Sequence, residues 1–284
     1  MSSLNTRIKN FYDASTPLWL NTWGEQMHHG YYGPNGQRVV DHRQAQLDMI
    51  EELLDWGNAP AAIRRFLDAG CGVGGSSRYL ALRHPEARGL GVTLSPVQAK
   101  NGQRYNREAG VGHRVEIRAQ DVYSLEVEQE GEFDLIWSME SAEHMADKQG
   151  LLELFFKLLR PGGQLCMATW CHRPEPPALT EDDQRVLGKI CSLYHLPPLV
   201  SVPTLGKAAE RAGFTEVATE DWSAAVEPFW GAVINSGLDP RNWPGLIRAG
   251  KSTIKGAWAM KYMKEGFRTG AIRYGVLRAT KPGA

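Results

Sequence analysis

Residues 67–77 read Leu67-Asp68-Ala69-Gly70-Cys71-Gly72-Val73-Gly74-Gly75-Ser76-Ser77, and the reading of this stretch decides the fold. It follows the short apolar run Ile63 to Leu67 and leads into a helix-like run to Leu82. Strand, tight turn and helix in that order put Gly70, Gly72 and Gly74 where a ligand comes close to the backbone. Glycine permits this because it has no Cβ and tolerates positive φ. The helix start adds unpaired N–H groups that face a polar or anionic end of the ligand. The spacing is not that of a dinucleotide fingerprint, Gly-x-Gly-x-x-Gly with an acid about 20 residues further on. Here an acid leads the turn and the glycines alternate.

Outward from this stretch the chain alternates between two periods. Strands are predicted at 63–68, 88–93, 114–119, 133–138 and 163–170, with helices at 75–84, 95–109 and 147–159 between them. A further helix, 40–56, carries an apolar stripe of Val40, Leu47, Ile50, Leu53 and Leu54, as an amphipathic helix does. The β-α-β rhythm implies a mainly parallel sheet with helices on both faces and right-handed crossovers. In such sheets ligands bind beyond the carboxyl ends of the strands. Polar residues gather there after every strand: the glycine loop, Thr93-Leu-Ser-Pro-Val-Gln98, Gln120-Asp121-Val122, Ser138-Met-Glu-Ser-Ala-Glu-His144 and Thr169-Trp-Cys-His172. A purely structural sheet has no need of that.

The flanks differ from this centre. Residues 1–40 are rich in aromatic and imidazole side chains (Phe11, Tyr12, Trp19, Trp23, His28, His29, Tyr31, Tyr32). They read as a lid, with Gly30, Gly33, Pro34 and Gly36 as hinge points; ordinary packing of a helix on the core is the competing reading. Residues 41–173 form the ligand-binding centre. Residues 174–284 read as a helical cap around the last two strands, Phe214 to Trp222 and Ile272 to Ala279. The cap includes an aromatic insertion at 223–270 that holds Trp230.

Composition narrows the function. With 32 basic and 32 acidic residues the formal charge is zero, which argues against nucleic acid as a partner. The first residues lack the apolar core of a secretory signal, and no apolar run approaches the roughly 18 residues of a spanning helix. Cys71, Cys166, Cys171 and Cys191 match no zinc spacing and read as reduced thiols of a cytoplasmic protein. No metal site is expected. Exchange of the aromatic N-terminus between chains would make a homo-oligomer; the sequence leaves that open.

Taken together, Leu67-Asp-Ala-Gly-Cys-Gly-Val-Gly, Gly91-Val-Thr-Leu-Ser-Pro-Val-Gln, Asp121, Glu140-Ser-Ala-Glu-His-Met and Pro161-Gly-Gly resemble the class I methyltransferases that use S-adenosylmethionine. More narrowly, Trp23-Gly-Glu-Gln-Met-His-His-Gly-Tyr-Tyr32, Ala168-Thr-Trp-Cys-His-Arg173, Asp221-Trp-Ser223 and Pro228-Phe-Trp230 resemble the gamma-tocopherol methyltransferase-like family. The resemblance implies a seven-stranded Rossmann-like α/β sheet and S-adenosylmethionine as cofactor. It places Asp68, Gly70, Cys71 and Gly72 at the methionine and ribose end, Thr93, Leu94 and Gln98 at the ribose, Gln120, Asp121 and Val122 at the adenine, and Ser138 nearby. Two positions depart from the pattern. Thr93 stands where many class I methyltransferases have a ribose-binding acid, and Gln26 where the tocopherol group tends to have a histidine.

Methyl transfer from a sulfonium requires alignment and exclusion of water more than elaborate acid–base chemistry. An acceptor that must lose a proton needs a base, and His144 is the first candidate. If 140–144 form a helical turn, Glu140 shares its face, and Glu143 is placed to orient the acceptor. His28 and His29 are rival bases, and His172 belongs to the same edge. The aromatic concentration in lid and cap (Trp23, His28, His29, Tyr31, Tyr32, Trp170, Trp230) suits a bulky, apolar, ring-containing small molecule, such as a prenylated phenol or an indole or terpenoid natural product. The alternatives are N- or O-methylation of an alkaloid or glycoside, and a non-catalytic cofactor-binding sensor or scaffold.

Overall fold

A computed structural model describes residues 3–231 and 251–283, apart from the side chains of residues 18, 21–23 and 251–259. Seven strands form one sheet: β1 (Arg65–Ala69), β2 (Arg88–Thr93), β3 (Val115–Ala119), β4 (Phe133–Met139), β5 (Leu159–His172), β6 (Thr215–Asp221) and β7 (Ile272–Thr280). Their order is β3-β2-β1-β4-β5-β7-β6. The first five are parallel, and β7 runs antiparallel to both β5 and β6. Order reverses between β1 and β4, so the crevice for a ligand opens at the carboxyl ends of β1, β2 and β4.

Helices cover both faces, as a parallel sheet requires. They are α1 (Leu4–Trp23), α2 (His42–Trp56), α3 (Gly75–Arg83), α4 (Pro96–Glu108), the single turn α5 (Val127–Glu130), α6 (Lys148–Leu158), α7 (Glu181–Tyr194), α8 (Val202–Ala212), the turn α9 (Ser223–Val226) and α10 (Lys251–Thr269). Met49, Ile50 and Leu53 of α2 pack with Leu135 and Trp137 of β4 on one face. Leu151, Leu152 and Phe155 of α6 pack with Ile136 and Leu165 on the other. β4 is buried along its whole length, which explains its unbroken apolar character. Among the described residues no helix is long and apolar enough to cross a membrane.

Two sequence expectations change here. β5 begins at Leu159 rather than at 163, because Pro161-Gly162-Gly163 stays paired. Gly162 N–H donates to the Lys281 carbonyl and Lys281 N–H to that of Gly163. Gly30, one of the expected hinge points, is closely held by its surroundings. Tyr31 N–H donates to the Ala45 carbonyl and Tyr32 N–H to that of Ala225, while the Gln46 carboxamide donates to the carbonyls of Gln26 and His28. A Cβ on Gly30 would run into Ala45. Residues 26–32 are therefore a strap fixed to α2 and α9; within the expected lid, α1 precedes it and residues 33–40 follow it. Of the cap, residues 232–250 lie outside the described residues. Helix α8 packs on β6, β7 and α6, while α7 and α10 pack on each other.

Candidate active site

A cavity of about 380 Å³ opens at the carboxyl ends of the strands. Its floor is the turn after β1, where Gly70, Gly72 and Gly74 have φ of 85°, 55° and 76°. At Gly70 a Cβ would collide with the side chain of Ser141, so only glycine lets the β4 loop close against this turn. Ser141 Oγ donates to the Ala69 carbonyl at 2.5 Å and meets Ser138 Oγ at 3.0 Å, which ties the ends of β1 and β4 together.

Of the expected cofactor residues, Asp68, Gly70, Cys71, Gly72, Thr93, Leu94, Gln98, Gln120, Asp121 and Val122 all line this cavity. Ser138 does not: it is fully buried behind the turn, bonded to Ser141. Thr93 Oγ1 donates to Gln98 Oε1 at 2.7 Å, so the residue in place of the usual acid holds a carboxamide at the mouth of β2. Asp68 accepts from Ser77 Oγ at 2.6 Å. Burial drives its carboxyl up to about 7 against the lowering effect of Ser77 and Arg78, an environment that a ligand's cation would relieve. Burial also pushes the Cys71 thiol well above its ordinary value, which leaves it a neutral wall. The narrow glycine turn, a buried carboxylate short of a cation and polar groups at three strand ends fit S-adenosylmethionine.

Helix α1 roofs the cavity with Leu4, Asn5, Ile8 and Tyr12. Three bonds tie it to strand ends: Asn5 Nδ2 donates to Asp121 Oδ2 at 2.6 Å, Ser95 Oγ to Asp13 Oδ1 at 2.5 Å, and Tyr12 Oη meets His144 Nε2 at 2.7 Å. These roof residues, with Met27, Ser95 and Met139, were not predicted as site residues. The i, i+4 pair Ile8 and Tyr12 was the signal available for them, and it cannot say what a helix lies against.

The expected catalytic cluster is arranged differently from a helical turn. Glu140 sits in the left-handed region at φ 48°, and only Ala142–His144 form a 3₁₀ turn. Glu140 and His144 line the cavity from separate backbone conformations, while Glu143 points away from it and accepts from Thr169 Oγ1 at 2.7 Å. Burial, with the charge of Glu140, raises Glu143 to about 8. In the free chain its protonated form is therefore favoured, and it faces Thr169 rather than the cavity. Burial, with the positive charges of Lys148 and His195, depresses His144 to about 3, so in the free chain it is a weak base.

Glu140 instead pairs with the strap. His29 N–H donates to Oε1 at 2.6 Å, His29 Nδ1 lies 2.8 Å from Oε2, and Tyr274 Oη donates to Oε1 at 2.9 Å. Burial raises the Glu140 carboxyl, but the charge and hydrogen bonds of His29 outweigh it and hold it below its ordinary value. The His29 ring is surrounded by those of Phe229 (4.6 Å between centroids), Trp230 (5.0 Å), Tyr274 (5.4 Å), Trp170 (6.0 Å) and Phe267 (6.0 Å). His29 Nε2, Trp170 Nε1 and Trp230 Nε1 are buried there without a partner among the described residues. An unmet buried polar group costs about 1–3 kcal/mol.

Of the expected acceptor contacts, His28 lines the cavity; His29, Trp170 and Trp230 meet in the adjoining aromatic cage; Tyr31 and Tyr32 do neither. Tyr31 packs on Trp222, and both tyrosines belong to the core under the strap. The side chain of Trp23 lies outside the described residues. His172 donates to or accepts from nothing in the cavity; its Nδ1 bonds the Arg173 carbonyl.

Sheet order, glycine turn and cavity lining together define a class I S-adenosylmethionine-dependent methyltransferase. Residues 66–163 match the methyltransferase domain family. The chain is 37% identical to the chloroplastic tocopherol O-methyltransferase of Arabidopsis thaliana over 99% of its own length and 83% of that protein's. It is 28% identical to the 2-methyl-6-phytyl-1,4-hydroquinone methyltransferase of a Synechocystis strain, over 98% and 88%. The geranyl diphosphate C-methyltransferase of Streptomyces coelicolor shares its fold with a TM-score of 0.75 at 19% identity, over 99% and 98%. The chain belongs to the tocopherol methyltransferase family, and its cofactor is S-adenosylmethionine.

Proposed function

We propose that the acceptor is a prenylated aromatic alcohol, methylated on a ring carbon or on the hydroxyl. The observation that carries this is the extent of the family likeness. It runs through the strap and the aromatic elements beyond residue 163 as well as the cofactor module, and those are the elements that form the cage beside the cavity. Apolar side chains of Ile8, Met27, Met139 and Met145 supply the remaining wall, as a site for an apolar ring requires. When bound, the cofactor supplies an electrophilic methyl group and leaves as S-adenosylhomocysteine. The chain contributes alignment through the three strand ends, exclusion of water under α1, and hydrogen bonds at Glu140 and its partners.

Turnover on a panel holding a tocopherol with an unsubstituted ring position, an indole alkaloid, a prenyl diphosphate and a glycoside tests the reading. Expected is a mass gain of one methyl on the tocopherol, at a rate well above the others. Transfer only to the glycoside or to small polar amines would end it. Among the described residues no cluster of three metal-ligating side chains occurs, and transfer is expected to proceed unchanged in chelator. A rate increase on adding magnesium to chelated enzyme would contradict that. The four cysteines are free thiols, and we place the enzyme in the reducing cytoplasm, which cell fractionation checks.

A further inference from the structure

We propose that His29 is the general base of the reaction, taking the acceptor's hydroxyl proton on Nε2 inside the aromatic cage, with Glu140 and Tyr274 as its positioning residues. The proposal rests on the aromatic-alcohol reading and gives that alcohol its docking site. Glu140 is ionised and has no proton to donate, so the 2.8 Å contact with His29 Nδ1 makes Nδ1 the protonated nitrogen. The cationic ring that faces the Glu140 carboxylate carries a proton on Nε2 as well; it is the neutral form, with Nε2 a bare lone pair, that acts as the base. That lone pair is buried and unpartnered among the described residues, in a residue only 2% exposed.

Two further polar groups of the cage are left over in the same way, the indole N–H groups of Trp170 and Trp230. The three needs are complementary. A lone pair wants a donor and an indole N–H wants an acceptor, and one hydroxyl is both. Five aromatic rings around it suit the ring that carries such a hydroxyl. In the free chain these rings lie against one another. Phe229, Trp230 and Phe267 sit on helical segments between β6 and β7, outside the sheet, and the proposal requires that they part to admit the acceptor.

Glu140 joins the two compartments, since it lines the cofactor cavity and also holds His29. The proton balance is simple. The acceptor's O–H bond breaks, its electron pair stays on oxygen and raises the nucleophilicity of that oxygen and of the ring carbons conjugated with it. The proton joins Nε2, giving an imidazolium opposite the Glu140 carboxylate; after transfer to oxygen it leaves to solvent with the product, and after transfer to a ring carbon it returns to the oxygen while the hydrogen of that carbon leaves as a proton to solvent. His144 has its Nε2 bonded to Tyr12; its Nδ1 is also buried without a partner among the described residues, but no cage of aromatic rings surrounds it.

The titratable groups that face His29 among the described residues are Glu140 after β4, Tyr274 on β7 and His28 on its own strap. β5, the 229–230 segment and α10 present aromatic rings. The first test needs no turnover. 4-Nitrophenol, whose ionisation is visible in its absorbance, is titrated into the enzyme below the probe's own solution pKa. Expected is a bound phenolate with the wild-type enzyme, and a bound neutral phenol with His29→Asn, whose amide preserves the bond to Glu140 without the base. Equal ionisation in both would overturn the proposal, as would equal failure to ionise, which is the result expected if the cage holds only water.

The second test is the pH profile of kcat on the accepted alcohol. His29→Asn is expected to lose roughly 100- to 10,000-fold, the usual worth of a general base, and to lose the acid limb with it, while binding of S-adenosylmethionine stays within twofold. Tyr274→Phe removes only a buttress and is expected to lose about tenfold while the limb remains. Turnover by His29→Asn within threefold of wild type would overturn the assignment. If no aromatic alcohol is methylated yet the probe ionises at His29, the base stands and the acceptor reading falls. If alcohols are methylated and the probe test fails, the reverse holds.

Discussion

At the scale of single residues, Asp68 sets the terms on which the cofactor binds. Its carboxyl, carried up to about 7 first by burial, is partly protonated in the free enzyme at neutral pH. Only the ionised form favours a cation, so affinity for S-adenosylmethionine should tighten as pH rises through about 7, with proton release on binding. Calorimetry in buffers of different ionisation heat reads that release directly. Asp68→Asn should weaken binding by roughly 10- to 100-fold at pH 8, the worth of a charged hydrogen bond, and abolish the pH dependence. A dependence that survived in Asp68→Asn would place the titrating group elsewhere. The importance of this position was legible in the sequence because an acid leading a glycine turn has little else to do. Its raised affinity for protons was not, because that depends on how deeply β1 and Ser77 bury it.

At the scale of elements, α1 is the part of the site tied to the strand ends by side chains. Its ties to Asp121, Ser95 and His144 are side-chain bonds to three separate strand ends, while the strap after it is held by backbone bonds. The double variant Asn5→Ala/Asp13→Ala removes two of them, each worth about 1 kcal/mol. It should speed cofactor dissociation by roughly tenfold or more, with little change in melting temperature. Stopped-flow displacement measures the rate; an unchanged rate would mean that α1 does not gate the cavity. Ser95→Ala is the poorer test, since Ser95 Oγ also caps α4 through Gln98 N–H.

The strands and their polar ends were readable because period-two apolar runs and turn chemistry are local. What the roof and cage contain was not. The pairs Tyr12–His144 and His29–Glu140 are 132 and 111 residues apart. The left-handed Glu140 cannot be foreseen from a sequence that spaces like a helix. The aromatic residues of the strap illustrate the same limit, since adjacent His29 and Tyr31 look alike in composition and end up in the cage and in the core.

For the whole molecule, four buried groups should shape stability against pH in two opposing limbs. Asp68 and Glu143 have folded values raised to about 7 and about 8, chiefly by burial. An acid whose folded pKa is raised contributes stability below its unfolded value and loses it as pH climbs through the folded one. His28 is lowered and His144 is depressed to about 3 from 6.5, again chiefly by burial. A base so depressed has its full stability above 6.5 and loses it as pH falls. Between about 4.5 and 6.5 the limbs oppose each other; from 6.5 to 8 only the carboxyls titrate, so the free enzyme should melt at progressively lower temperature across that window. Glu143→Gln keeps an acceptor for Thr169 Oγ1 with no charge to bury, and should flatten the upper part of the decline. Saturating S-adenosylmethionine should flatten the part due to Asp68, by pairing its carboxylate, and leave that of Glu143. Scanning calorimetry of wild type and Glu143→Gln at half-unit steps, with and without cofactor, separates the two contributions. A wild-type curve that is level or rising from 6.5 to 8 would show that Glu143 is ionised in the folded chain at neutral pH, and with it that the loop carrying Glu140 and His144 is built around a buried charge.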